Sequence, residues 1–139
     1  PMIDTSALSS ALAQLAEYRE RCDAPAYAAD PGLRRHLRAG AIQAFEFSYE
    51  LAVKTVRRQL ESMGESDVGL LPYRDLIRLA AARGLVRDPR AWFEFRERRN
   101  ITAHTYDERK ADLVFGVLVV FAAEAEYLAA RVGEFNRCM

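Results

Sequence analysis

Residues 114–135 read VFGVLVVFAAEAEYLAARVGEF, and within them Val114, Leu118, Phe121, Ala125, Leu128, Val132 and Phe135 recur at steps of four and three. That spacing draws one continuous apolar seam along a helix, as in a coiled coil. The first half of the stretch is richer still, because Leu113, Phe115, Val117, Val119 and Val120 point away from the seam. A helix apolar on most of its circumference has to be covered on most sides. This one therefore reads as a central element of a helical bundle.

Working outward, the helix boundaries follow from punctuation. Thr105-Tyr106-Asp107-Glu108 has the form of a capping box, a threonine cap with glutamate three residues on. It starts the last helix at Thr105 and carries it to about Asn136. Asp88-Pro89 pairs an N-cap with proline at the first helical position and opens a helix bearing Trp92, Phe93 and Phe95. Asp30-Pro31 repeats that signal and opens a long helix reaching about Met63 and stopped by Gly64. A short helix spans about Pro72 to Arg83 before Gly84, and a first helix runs from about Ser6 to Cys22. Asp23 to Ala29 reads as a linker and Glu65 to Leu71 as a polar loop. Strand alternation and hairpin signals are missing. The expected fold is all-α, an antiparallel bundle of about five helices with long second and last helices, built as one domain over 1–139.

The second helix also carries two apolar stripes. Leu37, Ala41, Ala44, Phe47 and Leu51 form one; Ile42, Phe45, Tyr49, Val56 and Leu60 form the other. Gly40 within it marks either a close helix approach or a break in the helix. Two long helices with so much apolar surface point to self-association, with a monomeric bundle built around them as the alternative.

Composition sets the boundaries of function. The chain has 139 residues, half of them apolar, with 20 basic and 20 acidic residues. No overall cationic field draws it to nucleic acid, so any RNA contact has to come from a local patch. Two distant cysteines, Cys22 and Cys138, make no metal-binding pair and fit a reducing cytoplasm. The N-terminus has no basic region followed by an apolar run, so no signal peptide is read. The apolar run Leu113–Ala123 is shorter than the about 20 residues a bilayer requires. A soluble protein without a membrane role is expected.

The chemistry concentrates in Arg99-Asn100-Ile101-Thr102-Ala103-His104-Thr105-Tyr106. Arginine is a permanent forked cation suited to phosphate, and histidine exchanges protons near neutral pH. In one unbroken helix Arg99 and His104 would point about 140° apart. A kink near Ala103 lets both line one pocket; otherwise Arg99 caps a helix and His104 is a surface histidine. Glu46, Glu50 and Lys54 follow one another at four-residue spacing. Glu50 to Lys54 is a favourable pair, whereas Glu46 and Glu50 repel unless a cation sits over them. With no histidine or aspartate to complete a metal set, a supporting arginine near Arg99 is expected there and no metal. Metal-free RNA cleavage needs one group to accept the 2′-hydroxyl proton and another to protonate the leaving oxygen. The only other histidine, His36, lies in an arginine-rich turn, so a dimer supplying two His104 and two Arg99 satisfies the requirement.

These residues resemble a known family. Arg99 to Tyr106 has the form RNxxxHxY, Phe45 to Leu51 the form FExxxEL, and Gly84-Leu85-Val86 followed by Trp92 resembles a GLI-to-Trp region. All three are similar to the HEPN (higher eukaryotes and prokaryotes nucleotide-binding) domains, in the branch once named nucleotidyltransferase substrate-binding proteins. The resemblance runs from about Ile42 to the end of the chain. It departs at Val53, where the branch usually has tryptophan. What it implies is a bundle that forms a homodimer or a dimer of dimers, needs no cofactor, and acts as an endoribonuclease toxin on RNA. Arg99 would bind the scissile phosphate, His104 would be acid or base, Asn100 would orient them, and Glu46 and Glu50 would support the site. A cognate minimal nucleotidyltransferase would serve as antitoxin by transferring AMP to Tyr106, adding bulk and negative charge beside Arg99. The competing implication is a non-catalytic module presenting a nucleotide or substrate to a separate nucleotidyltransferase. A purely structural bundle would leave the arginine–histidine–tyrosine cluster unexplained.

Overall fold

The computed structural model describes residues 2–104 and 106–138, and of Ala28 the backbone alone. Among these residues the secondary structure is all helical: α1 (Ser6–Asp23), α2 (Pro25–Ala28), α3 (Pro31–Ser62), α4 (Tyr73–Ala82), α5 (Pro89–Asn100), α6 (Glu108–Phe115) and α7 (Leu118–Arg137). Single 3-10 turns occupy Val68–Leu70 and Thr102–His104. The Asp30 carboxylate accepts from the amides of Gly32 and Leu33, and Asp88 accepts from that of Arg90. Both Asp-Pro signals therefore act as read from the sequence. The linker departs slightly, since Pro25 nucleates the one-turn helix α2 within it.

α1 and α3 lie antiparallel. Arg21 and Tyr18 flank a hollow with Leu37, while Gln14 and Tyr18 flank the next with Gly40, Ala44 and Phe47. Their contact explains Gly40. A Cβ built there would lie 2.5 Å from Cε1 of Tyr18, so the glycine marks a close approach and α3 runs unbroken past it.

The last helix is not continuous. It begins at Glu108 with Asp107 as its cap, the carboxylate accepting from the Arg109 amide at 2.9 Å. The capping box starting at Thr105 lies outside the described residues. The helix is then interrupted at Gly116-Val117, where the Val117 amide reaches back to the Val114 carbonyl in a tight i to i−3 bond. Glycine followed by a β-branched residue is a weak helical pair, so the break falls there. The seam nonetheless survives: Val114, Leu118, Phe121, Ala125, Leu128 and Val132 are all buried. Residues 108–137 have the length of a membrane span and contain an 18-residue window of matching mean hydropathy (1.9), but here they form two helices packed by that seam into the core.

The two stripes of α3 part company. Ile42, Phe45, Tyr49, Val56 and Leu60 are buried; of the other stripe only Ala41 and Ala44 are, and Phe47 is 57% exposed. Val53, where the sequence departs from the branch it resembles, packs half-buried against the core.

An aromatic cluster sets the position of α5. The Phe121 ring on α7 meets Phe45 of α3 edge-on at 5.0 Å and Phe95 of α5 at 5.3 Å, with Trp92 at 6.3 Å. Such pairs add about 0.5–1.5 kcal/mol each beyond their burial. They clamp α5 against α3, and that fixes what the next turn of α5 presents.

Candidate functional site

On α5, Trp92, Phe95 and Arg99 share one face at spacings of three and four. With the first two buried in the core, Arg99 emerges at its rim facing α3. There its Nε and Nη2 donate to Oε1 of Glu50 at 3.2 and 2.6 Å, and its Nη1 lies 3.8 Å from Oε2 of Glu46. The hydrogen bond to Glu50 is the chief cause holding the Arg99 pKa above its ordinary value. The cation foreseen over the two glutamates is thus Arg99 itself, and Glu50 turns to it in place of Lys54.

Thr102 completes this cluster. Its hydroxyl lies within hydrogen-bonding distance of Oε2 of Glu46 and 2.8 Å from the Arg99 carbonyl. One proton serves one of these acceptors at a time. The threonine ties the turn after α5 back to α3. Sequence reasoning passed over it, although a threonine three residues after Arg99, where α5 ends, is a residue type that bonds back to a helix carbonyl.

The expected break after α5 is present. The helix ends at Asn100, and the 3-10 turn Thr102–His104 follows. The His104 amide donates to the Ile101 carbonyl at 3.0 Å, and its carbonyl accepts from Asp107 at 3.1 Å. His104 is exposed, and its ring stands edge-on to that of Tyr106 with centroids 6.2 Å apart. Tyr106 is 86% exposed and borders a hollow shared with Arg35, Arg38 and Glu108. Arg35 and Arg38 belong to the arginine-rich turn that the sequence left unassigned.

The structure therefore brings Arg99, Glu46, Glu50 and Thr102 into one cluster and His104 and Tyr106 into another beside it in sequence. Asn100 joins neither. Its position is about 100° around α5 from Arg99, and it lines a separate hollow with Tyr73, Arg74, Phe93 and Arg96. No group of three or more potential metal ligands is found among the described residues.

Helical bundle, paired-carboxylate arginine and exposed histidine–tyrosine turn together define a class. Over residues 4–134 the chain matches the family described as nucleotidyltransferase substrate binding protein like, and it belongs to that family. It is 40% identical over 101 residues to a Haemophilus influenzae protein named probable ribonuclease HepT, covering 71% of this chain and 69% of that one. A solved structure from Haemophilus influenzae, described as revealing the fold of a substrate binding domain of a nucleotidyltransferase, superposes with a TM-score of 0.85. The two are 34% identical, and the match covers 93% of this chain and 98% of the other. A crystal structure from Thermus thermophilus matches with a TM-score of 0.69 at 30% identity, covering 90% and 98%.

Proposed function

We propose that the chain is a metal-independent endoribonuclease, the toxin of a pair whose antitoxin is a nucleotidyltransferase, acting in the cytoplasm as a dimer. One observation carries the reading: Arg99, the phosphate-binding candidate, is held in a fixed pose by Glu46 and Glu50 immediately before the turn that exposes His104. The relative named a probable ribonuclease supports it.

In this reading two Arg99–His104 pairs face each other across a symmetric interface. One His104 takes the 2′-hydroxyl proton as O2′ bonds to the neighbouring phosphorus. The other gives a proton to the departing 5′-oxygen as its bond to phosphorus breaks. Arg99 offsets the charge gathering on the phosphate. The exposed apolar residues Phe47, Leu113, Val119 and Val120 supply surface for a second copy. Asn100 acts from the adjacent face of α5 and does not touch the Arg99 cluster. The exposed Tyr106 phenol is the acceptor for AMP. Its oxygen bonds to the α-phosphorus of a nucleoside triphosphate bound by the partner enzyme, and pyrophosphate leaves. Arg35 lines the same hollow as Tyr106 and would meet the phosphate so attached, while Arg38 beside it is paired with Asp112 and Glu108.

A second reading, a non-catalytic substrate-binding subunit, is favoured by the pairing of Arg99. Two carboxylates already match its charge, which leaves less of it for polarising a phosphate. Expression decides between them. The toxin reading expects growth arrest and fragmented RNA from the chain alone, relief by His104→Ala, and relief with a mass increase of one adenylyl group when the nucleotidyltransferase is co-expressed. Normal growth and intact RNA from soluble, unmodified wild-type chain would leave the binding module.

A further inference from the structure

The hollow beside Asn100 lies outside the cluster just described and has its own chemistry. It has a volume of about 360 Å³ and lies between the start of α4 and one face of α5. Phe93, Arg96, Glu97 and Asn100 form a contiguous strip of α5, recurring at steps of three and four or adjacent to them. Two guanidiniums are stacked on aromatic faces at its edge: Arg74 sits 4.5 Å from the centroid of Phe93, and Arg96 sits 4.6 Å from that of Tyr73. The Tyr73 ring beneath Arg96 is itself fixed, because its hydroxyl donates to the Trp92 carbonyl at 2.8 Å.

Both arginines are exposed, so a guanidinium set over a ring still has surface and N–H donors to offer a ligand. Such a guanidinium suits a nucleobase by stacking and a phosphate by its donors. Asn100 adds an amide, with donor and acceptor, for a base edge. Arg74 and Arg96 face the single carboxylate Glu97, while the nearby Arg78 is engaged with Asp75 at 3.9 Å. The hollow therefore carries a net positive charge on a chain whose total is zero. It is the local basic and aromatic patch that a neutral RNA-binding protein requires.

We propose that this hollow is a subsite for one nucleotide of single-stranded RNA, flanking the nucleotide whose phosphate meets Arg99. Arg99 and Asn100 are neighbours on α5, with Cα atoms about 3.8 Å apart. A strand held at Arg99 enters the hollow with its next nucleotide. Asn100 thereby gains a role on the face of α5 where it lines this hollow. The assignment rests on the ribonuclease reading for the identity of its ligand.

The test is equilibrium binding of a fluorescent 2′-O-methyl RNA oligonucleotide, which the chain cannot cleave, over a range of salt concentrations. The variants are Arg74→Gln/Arg96→Gln and, as a charge-matched control, Arg58→Gln/Arg137→Gln; all four arginines are exposed. The subsite expects the first pair to weaken binding five- to tenfold. It also expects the log–log salt slope to shallow by about 0.7, for the one single-strand phosphate of that nucleotide that no longer meets an arginine. The control pair should change affinity less than twofold. Equal losses from both pairs overturn the subsite, since they would report net charge alone. If wild-type chain cleaves ordinary RNA and the Arg74/Arg96 variant binds as tightly as wild type, the subsite falls while the ribonuclease reading stands. If that variant binds RNA normally and loses the nucleotidyltransferase instead, the hollow is a protein-docking surface and the proposal is overturned. A wild-type chain that neither binds nor cleaves RNA removes both.

Discussion

Glu50→Gln isolates what the carboxylate does to Arg99. The substitution keeps the shape and removes the charge. The Arg99 and Glu50 side chains are 30% and 57% exposed, so solvent screens their pair and its worth to stability is about 0.2–1 kcal/mol. A chain of this length shifts its Tm by roughly 3–4 °C per kcal/mol, so a fall of no more than about 4 °C is expected. The same energy acts with the opposite sign on the ligand. A phosphate reaching Arg99 competes with Glu50, and removing the competitor should tighten binding of uncleavable RNA by about two- to fivefold. Cleavage should nevertheless slow. Arg99 loses the anchor that holds its pose, and misplacement of a catalytic group by an ångström costs up to about a hundredfold. The assay pairs the Kd of a 2′-O-methyl oligonucleotide with the single-turnover cleavage rate. Tighter binding with at least tenfold slower cleavage supports a positioning carboxylate. Weaker binding, or an unchanged rate, would refute it.

Other consequences follow from the packing and the titrating groups. Gly40→Ala gains up to about 1 kcal/mol of helix propensity but drives a Cβ into Tyr18, an overpacking cost of about 1–3 kcal/mol; denaturant melts should show net destabilisation in the wild-type background and stabilisation in Tyr18→Ala. Burial is the main cause raising the pKa of both Tyr73 and Tyr49 in the fold. Folding therefore favours their neutral forms, and that stability is intact below about pH 10, the unfolded value, and is lost as pH rises above it. Urea midpoints should fall steeply beyond pH 10, and less steeply in Tyr73→Phe. Tyr106→Phe, at an 86% exposed position, should leave Tm within about 1 °C and RNA cleavage intact, while intact mass after co-expression with the nucleotidyltransferase shows no adenylyl addition.

Much of this architecture is legible because it rests on local chemistry. Asp30-Pro31 and Asp88-Pro89 cap helices by bonds to amides two or three residues away. The seam from Val114 to Val132 is buried as its spacing requires. That same seam concealed the break between α6 and α7. The periodicity passes through Gly116-Val117 undisturbed, and only the backbone turns there. Phe47 sits on a stripe that reads as apolar, yet it stays more than half exposed among the described residues. In the candidate site, the repulsion between Glu46 and Glu50 pointed to a cation, and Arg99 supplies it. Thr102 was hidden because its partners lie on both α5 and α3, a meeting that only the tertiary fold creates. Asn100 travels with Arg99 in the motif but faces another hollow, since adjacent residues on a helix do not share a face.

In the proposed reaction His104 and Arg99 cleave RNA without a metal. Its most direct measurement is incubation of purified wild-type chain with RNA in excess EDTA, beside His104→Ala at equal concentration. Cleavage by wild type that EDTA does not abolish is expected, with a loss of at least about a hundredfold in His104→Ala and Tm unchanged, as suits an exposed side chain. Intact RNA with the folded wild-type chain, or equal cleavage by the two proteins, would contradict it.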